Sequence, residues 1–154
     1  MRSLISTIAI AAIVAFLTGA VHGGFMLVLV IPFLIVWLLR SAWTMYRHRE
    51  RRRLLAGKIA IWIATILVVA LLHRYYATEA RAEADAAIRA VVAYKNQHGE
   101  YPKHLSEAGV NNGRWHVGYG VDEHGPWLLY PATFVVFEVW RYNFLSERWE
   151  YLRD

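Results

Sequence analysis

Apolar residues run almost unbroken through the first half of the chain and are interleaved with polar ones through the second. Three runs stand out: Leu4 to Val21, Phe25 to Leu39 and Ile59 to Leu72. The first carries no charge. The second stays apolar through GFMLVLVIPFLIVWLL until Arg40, and the third lengthens through its flanks at Ala56 and Tyr76. Crossing ~30 Å of hydrocarbon takes ~20 residues, and a shorter apolar centre suffices where aromatic and basic flanks reach the interfaces. Trp37, Trp43, Trp62, Tyr75 and Tyr76 stand where such flanks belong. The pattern predicts three transmembrane helices, about 4–22, 25–46 and 57–76, forming a transmembrane domain over 1–76. A buried helical core is the competing reading, but three such runs exceed what a soluble chain of 154 residues covers. A cleaved signal peptide fits the first run only loosely, because the site around LTGA is poor and the run is longer than a signal core.

After Tyr76 the pattern becomes amphipathic. Ala80, Ala84, Ala87, Ile88, Val91 and Tyr94 recur at spacings of three and four, with Glu79, Arg81, Glu83, Asp85 and Arg89 largely off that stripe. No Gly or Pro falls between Lys58 and His98, so one long helix is expected to leave the membrane and continue as the spine of a second domain, 77–154. QHGEYP ends it: Gly99 suits a left-handed helix cap, and Pro102 forces Tyr101 into extended geometry. Leu105 gives the following loop an apolar foot, with a short helical turn through HLSEAG. Strands are expected in RWHVGYG and WLLY around the turn DEHGP, then in TFVVFEVW and RWEYL. Phe134, Val136, Glu138 and Trp140 would form one face of the third of these. The fold class is therefore membrane α-helical plus a small α+β domain, a long helix packed on an antiparallel β-meander.

Charge fixes the expected orientation. Arg40, Arg47, Arg49, Arg51, Arg52, Arg53 and Lys58 fall between the second and third runs against the single acid Glu50, while GAVHGG after the first run has no Lys or Arg. By the positive-inside bias the basic loop 47–56 is cytoplasmic, the N-terminus is cytoplasmic and the second domain is outside, periplasmic in a bacterial inner membrane. Residues 1–76 hold nine Lys+Arg and one acid, and 77–154 hold eight and eleven, so the net +5 divides into +8 and −3. The basic balance therefore reflects topology and anionic lipid contact rather than nucleic acid. Arg47 to Arg53 act as topology determinants.

The segment AYKNQHGEYPKHL, with Tyr94, Gly99, Tyr101, Pro102 and Leu105, followed by an aromatic antiparallel sheet, resembles the globular part of type IV pilins and type II secretion pseudopilins. The resemblance covers about the last half of the chain. It implies a pilin-like fold and a protein-protein surface along the helix, at Ala80, Glu83, Ala84, Ala87, Arg89 and Val91, although the same stripe serves equally to hold the domain's own sheet. The chain departs from the family at its start. Gly24-Phe25 imitates a prepilin junction, but Leu29 stands where the family has a glutamate, and a membrane run precedes it. The expected role is a non-enzymatic assembly or interaction component of a type IV pilus or type II secretion-like system. Its expected partners are membrane lipid and other membrane or pilin-like proteins, with self-association compatible through Gly19, Gly23 and Gly24.

The alternative is a binding or sensing module, with a ligand pocket lined by Trp115, Tyr119, Trp127 and Trp140, that signals through the third helix to the basic loop. No cofactor is expected. With no cysteine there is no disulfide, thiolate nucleophile or Cys-ligated zinc. His73, His98, His104, His116 and His124 lack HExxH or HxH spacing, and Ser106 and Ser146 lack a nucleophile elbow.

Overall fold

The computed structural model describes residues 2–111, 113–135 and 137–153. It divides into two compact units, Met1–Arg74 and Tyr75–Asp154. Helix α1 spans Arg2–Gly19, α2 Leu27–Arg47 and α3 Arg52–His98. The four strands are β1 Gly118–Asp122, β2 Gly125–Pro131, β3 Val139–Asn143 and β4 Arg148–Leu152. Helix α3 supplies its first part to one unit and its last part to the other.

Two helical stretches are long and apolar enough to cross a bilayer: Gly23–Arg47, with mean hydropathy 2.3, and Arg49–His98, whose apolar window averages 2.4. Only 6% of either window is buried within the protein, which is the reverse of a soluble core helix. The first expected span is shorter than the reading 4–22. Its apolar stretch is Leu4–Gly19, below the length of the other two. It ends early because the hairpin starts early, with the Gly23 N–H bonded to the Ala20 carbonyl at 2.8 Å and His22 in the left-handed region at φ 65°. A Cβ at Gly23 would lie 2.5 Å from the Leu17 carbonyl oxygen, so this glycine is required by the turn itself.

The basic loop expected over 47–56 is also shorter. A single 3-10 turn, Arg49–Arg51, separates α2 from α3. Arg52, Arg53, Leu54, Leu55 and Ala56 are all good helix formers and join α3. Within this unit hydroxyls bond back to their own helices, Thr18 to the Val14 carbonyl at 2.7 Å and Thr65 to that of Ile61 at 2.9 Å. A ring nitrogen of His73 on α3 meets the Thr18 carbonyl of α1 at 2.7 Å, joining the two helices through groups shielded from solvent.

The second unit is an α+β layer pair. Its four strands form one antiparallel meander in the order β1-β2-β3-β4. The register puts Tyr119, Leu128, Tyr142 and Trp149 in one row across the sheet, facing α3. Ala80, Ala84, Ala87 and Val91 are at most 1% exposed. Small residues at 4-3-4 spacing form the buried face of the helix, and Leu128, with no exposed surface, stands in the sheet's buried row.

Helix α3 stops at His98 as expected, with Gly99 at φ 81° and its N–H bonded to the Lys95 carbonyl. The turn in HLSEAG is a 3-10 helix, Leu105–Ala108, closed by Gly109 at φ 72°.

The expected strand TFVVFEVW is corrected. Its last two residues begin β3, while Thr133, Phe134, Val135 and Phe137 belong to the connection from β2; Val136 lies outside the described residues. The antiparallel register pairs Pro131 with Val139, so the residues between them must reverse the chain, and the Ala132 N–H closes that loop on the Glu138 carbonyl at 2.8 Å. RWHV is likewise not a strand, and β1 starts at Gly118. The outer edge, β4, carries Arg148 and Glu150 exposed on the face away from the helix.

Candidate functional site

The residues that carry the pilin resemblance come together at the far end of α3. Tyr94 stacks on His98 with ring centroids 4.0 Å apart. The Lys95 ammonium lies 4.4 Å from the Tyr101 ring centroid and 3.1 Å from its hydroxyl, while that ring meets Phe144 edge-on at 5.6 Å. Pro102 is fully buried, and its carbonyl accepts the Tyr119 hydroxyl at 2.8 Å. Leu105 is half-buried and, with Val117 and Tyr119, lines an open polar groove of about 320 Å³. The arrangement pins the loop after the helix onto β1 and the β3-β4 turn. It is architecture, as the residue types suggest.

Burial pushes the Tyr119 phenol up to about 12, with smaller contributions from Tyr101 and Glu107. A raised tyrosine favours folding below the ordinary phenol value near ~10, and that advantage is lost as pH climbs through the folded value. Absorbance titration at 295 nm should therefore show one phenol ionising near pH 12, absent in Tyr119→Phe. The same variant loses the bond to Pro102, at a cost of about 0.5–1.5 kcal/mol in chemical unfolding.

The stripe expected to face a partner faces inward instead. Ala80, Ala84, Ala87 and Val91 are covered by the domain's own sheet, and the Glu83 carboxylate accepts the Trp115 backbone N–H at 3.3 Å. Arg89 remains exposed. Small apolar residues serve a close helix-sheet contact as well as a helix-helix one, and spacing alone does not separate the two. Beside the stripe, Arg81 bonds Asp85 at 3.0 Å and lies 4.1 Å from the Trp149 ring centroid; Glu79 pairs with Arg114 at 3.2 Å. Both pairs tie the helix to the sheet or to the loop before it.

The four aromatics of the alternative pocket do not share one wall. Tyr119 and Trp140 lie in rows facing the helix, whereas Trp127 is on the opposite face of the sheet, across Gly120. Arg141 covers it at 5.3 Å from the ring centroid and pairs with Asp122 at 2.7 Å. The His124 backbone N–H, then Arg141, hold the Asp122 carboxyl below its usual range.

Exposed apolar side chains collect in the β2-β3 loop and the β3-β4 turn, with Phe137 at 74% and Leu145 at 66%. The histidines stand apart: His73 in the first unit, His98 on Tyr94, His104 at the groove, His116 at φ 47° and His124 beside Asp122. Among the described residues no three His, Asp or Glu converge as metal ligands. Arg47, Arg49, Arg51, Arg52 and Arg53 are all exposed, Arg47 at the end of α2, Arg49 and Arg51 in the 3-10 turn, and Arg52 and Arg53 at the start of α3.

In comparisons with known proteins no family model matches the chain, and neither a curated protein nor a solved structure does.

Proposed function

We propose that this chain is a non-enzymatic, multi-pass inner-membrane protein whose outer, pilin-like domain is an interaction component of a type IV pilus or type II secretion-like assembly. The observation that carries this reading is α3: one helix holds a span-length apolar window and, from Ala80 onward, the buried stripe on which the meander packs. With α1 taken as a further crossing, ~27 Å at 1.5 Å per residue, the basic turn falls in the cytoplasm and the sheet in the periplasm. The helix-on-meander plan and the pinned AYKNQHGEYPKHL loop support the pilin likeness. Because the small-residue stripe is used internally, the surface offered to partners is the exposed helix edge at Arg89 and Val92 and the apolar loop at Phe137.

The test is photo-crosslinking in the native bacterium from a photoreactive residue at Arg89 or Phe137, with Arg51 in the cytoplasmic turn as the control. Pilins, pseudopilins or their platform proteins should be captured from the first two positions and not from the third. Capture of nothing, or of this protein alone, would sink the assembly role.

A further inference from the structure

We propose that the groove between α1, α2 and α3 holds a lipid with an anionic headgroup, Lys58 binding the headgroup and the apolar walls binding an acyl chain. The inference rests on the membrane reading above. The groove has a volume of about 590 Å³, within the ~300–1,000 Å³ usual for small-molecule sites. Its polarity is graded. Ser6, Thr7, Trp37 and Lys58 line one end, and Ile10, Val14, Leu29 and Phe33 line the other.

Lys58 is the one charged residue in that lining. A cation six residues into a helix whose window is apolar is costly unless it meets an anion or reaches the interface. The first unit offers none beside it: Glu50 is the sole acid in residues 1–74, and it lies 3.9 Å from His48. Among the described residues no carboxylate pairs with Lys58. With no acid of its own unit beside it, Lys58 is placed at the interface to take its countercharge from the membrane. A small soluble anion would leave the apolar walls unfilled, and a neutral lipid would leave the cation unmatched. A lipid with one anionic headgroup satisfies both ends. A neighbouring groove of about 580 Å³ shares Phe33 and Trp37 and contains Arg40, so it is the rival position.

Membranes from expressing cells are first washed with alkaline carbonate; release of the chain would overturn the membrane reading and this site with it. If the chain is retained, the full-length protein in micelles is titrated with phosphatidylglycerol, phosphatidylcholine or glycerol phosphate and followed by native mass spectrometry. One phosphatidylglycerol should bind in preference to phosphatidylcholine, glycerol phosphate should not bind, and a photoactivatable acyl chain should label Ile10 or Val14. Lys58→Gln should weaken phosphatidylglycerol binding about fivefold, while Arg51→Gln changes it little. Equal effects of the two substitutions, equal binding of the two lipids, binding of glycerol phosphate, or a loss with Arg40→Gln in place of Lys58→Gln would each overturn the proposal while leaving the membrane reading intact.

Discussion

Leu128→Ala should lower the stability of the second unit by about 2–5 kcal/mol, the usual cost of emptying a fully buried leucine site. Leu128 has no exposed surface and stands in the middle row of the sheet, between Tyr119 and Tyr142, against the alanine stripe of α3. Neighbours cannot close the gap cheaply. The helix contact is made by Ala84, Ala87 and their kind, whose methyl groups have no rotamers to swing inward. A domain of roughly 80 residues has only ~4–12 kcal/mol in total, so the loss removes much of it. Pulse proteolysis of the full-length protein in micelles should show the fragment after Tyr76 cut at far lower urea concentration than in the parent. An unchanged midpoint would mean that the helix-sheet contact is not the core.

Gly120→Val should cost about 1–3 kcal/mol, for the opposite reason. On the face of the sheet away from α3, Trp127 crosses β1 at Gly120, where a Cβ would lie 2.5 Å from the indole Cζ2 and 2.9 Å from Cε2. Leu129 crosses at Gly118 in the same manner, with the nearest approach at 3.0 Å. The two glycines let large side chains from β2 lie flat over the neighbouring strand at positions where it has no side chain. A valine at 120 must lift the indole from the sheet, exposing it and loosening the Arg141 guanidinium above it. Tryptophan emission should shift to the red. Combined with Trp127→Ala, the added cost of Gly120→Val should shrink, since the clash has gone; strict additivity in that double-mutant cycle would show that the two residues do not meet.

Much of the second unit was legible in the sequence, because its signals are local. The continuous helix through His98 follows from a long stretch without Gly or Pro, its end from Gly99 and Pro102, and the meander from strand-turn alternation. TFVVFEVW misleads because β-branched and aromatic residues at alternating positions imitate a strand, whereas the pairing of Pro131 with Val139 requires a reversal there. No local pattern encodes that requirement. The stripe Ala80 to Val91 was found, but which layer it serves is decided by the sheet's inward row, a contact far apart in sequence. The placement of Trp127 opposite Tyr119 and Trp140 depends in the same way on strand register. At Lys58 the sequence shows only a cation just ahead of an apolar run, one of the basic group between the second and third runs. Its meaning needed the helices around it, because only their packing shows a groove with one charged lining residue.

The charges on the β4 edge have a consequence of their own wherever copies of this domain meet. An open strand edge invites edge-to-edge pairing between copies. Arg148 and Glu150 stand exposed along that edge, and Arg153 beyond it reaches back to Glu138 at 3.7 Å. Two copies brought edge to edge in antiparallel fashion would have to strip water from these ions and match them by sign, which a chance encounter seldom does. The charged edge thus lets copies of the domain be crowded together and each remain a separate particle.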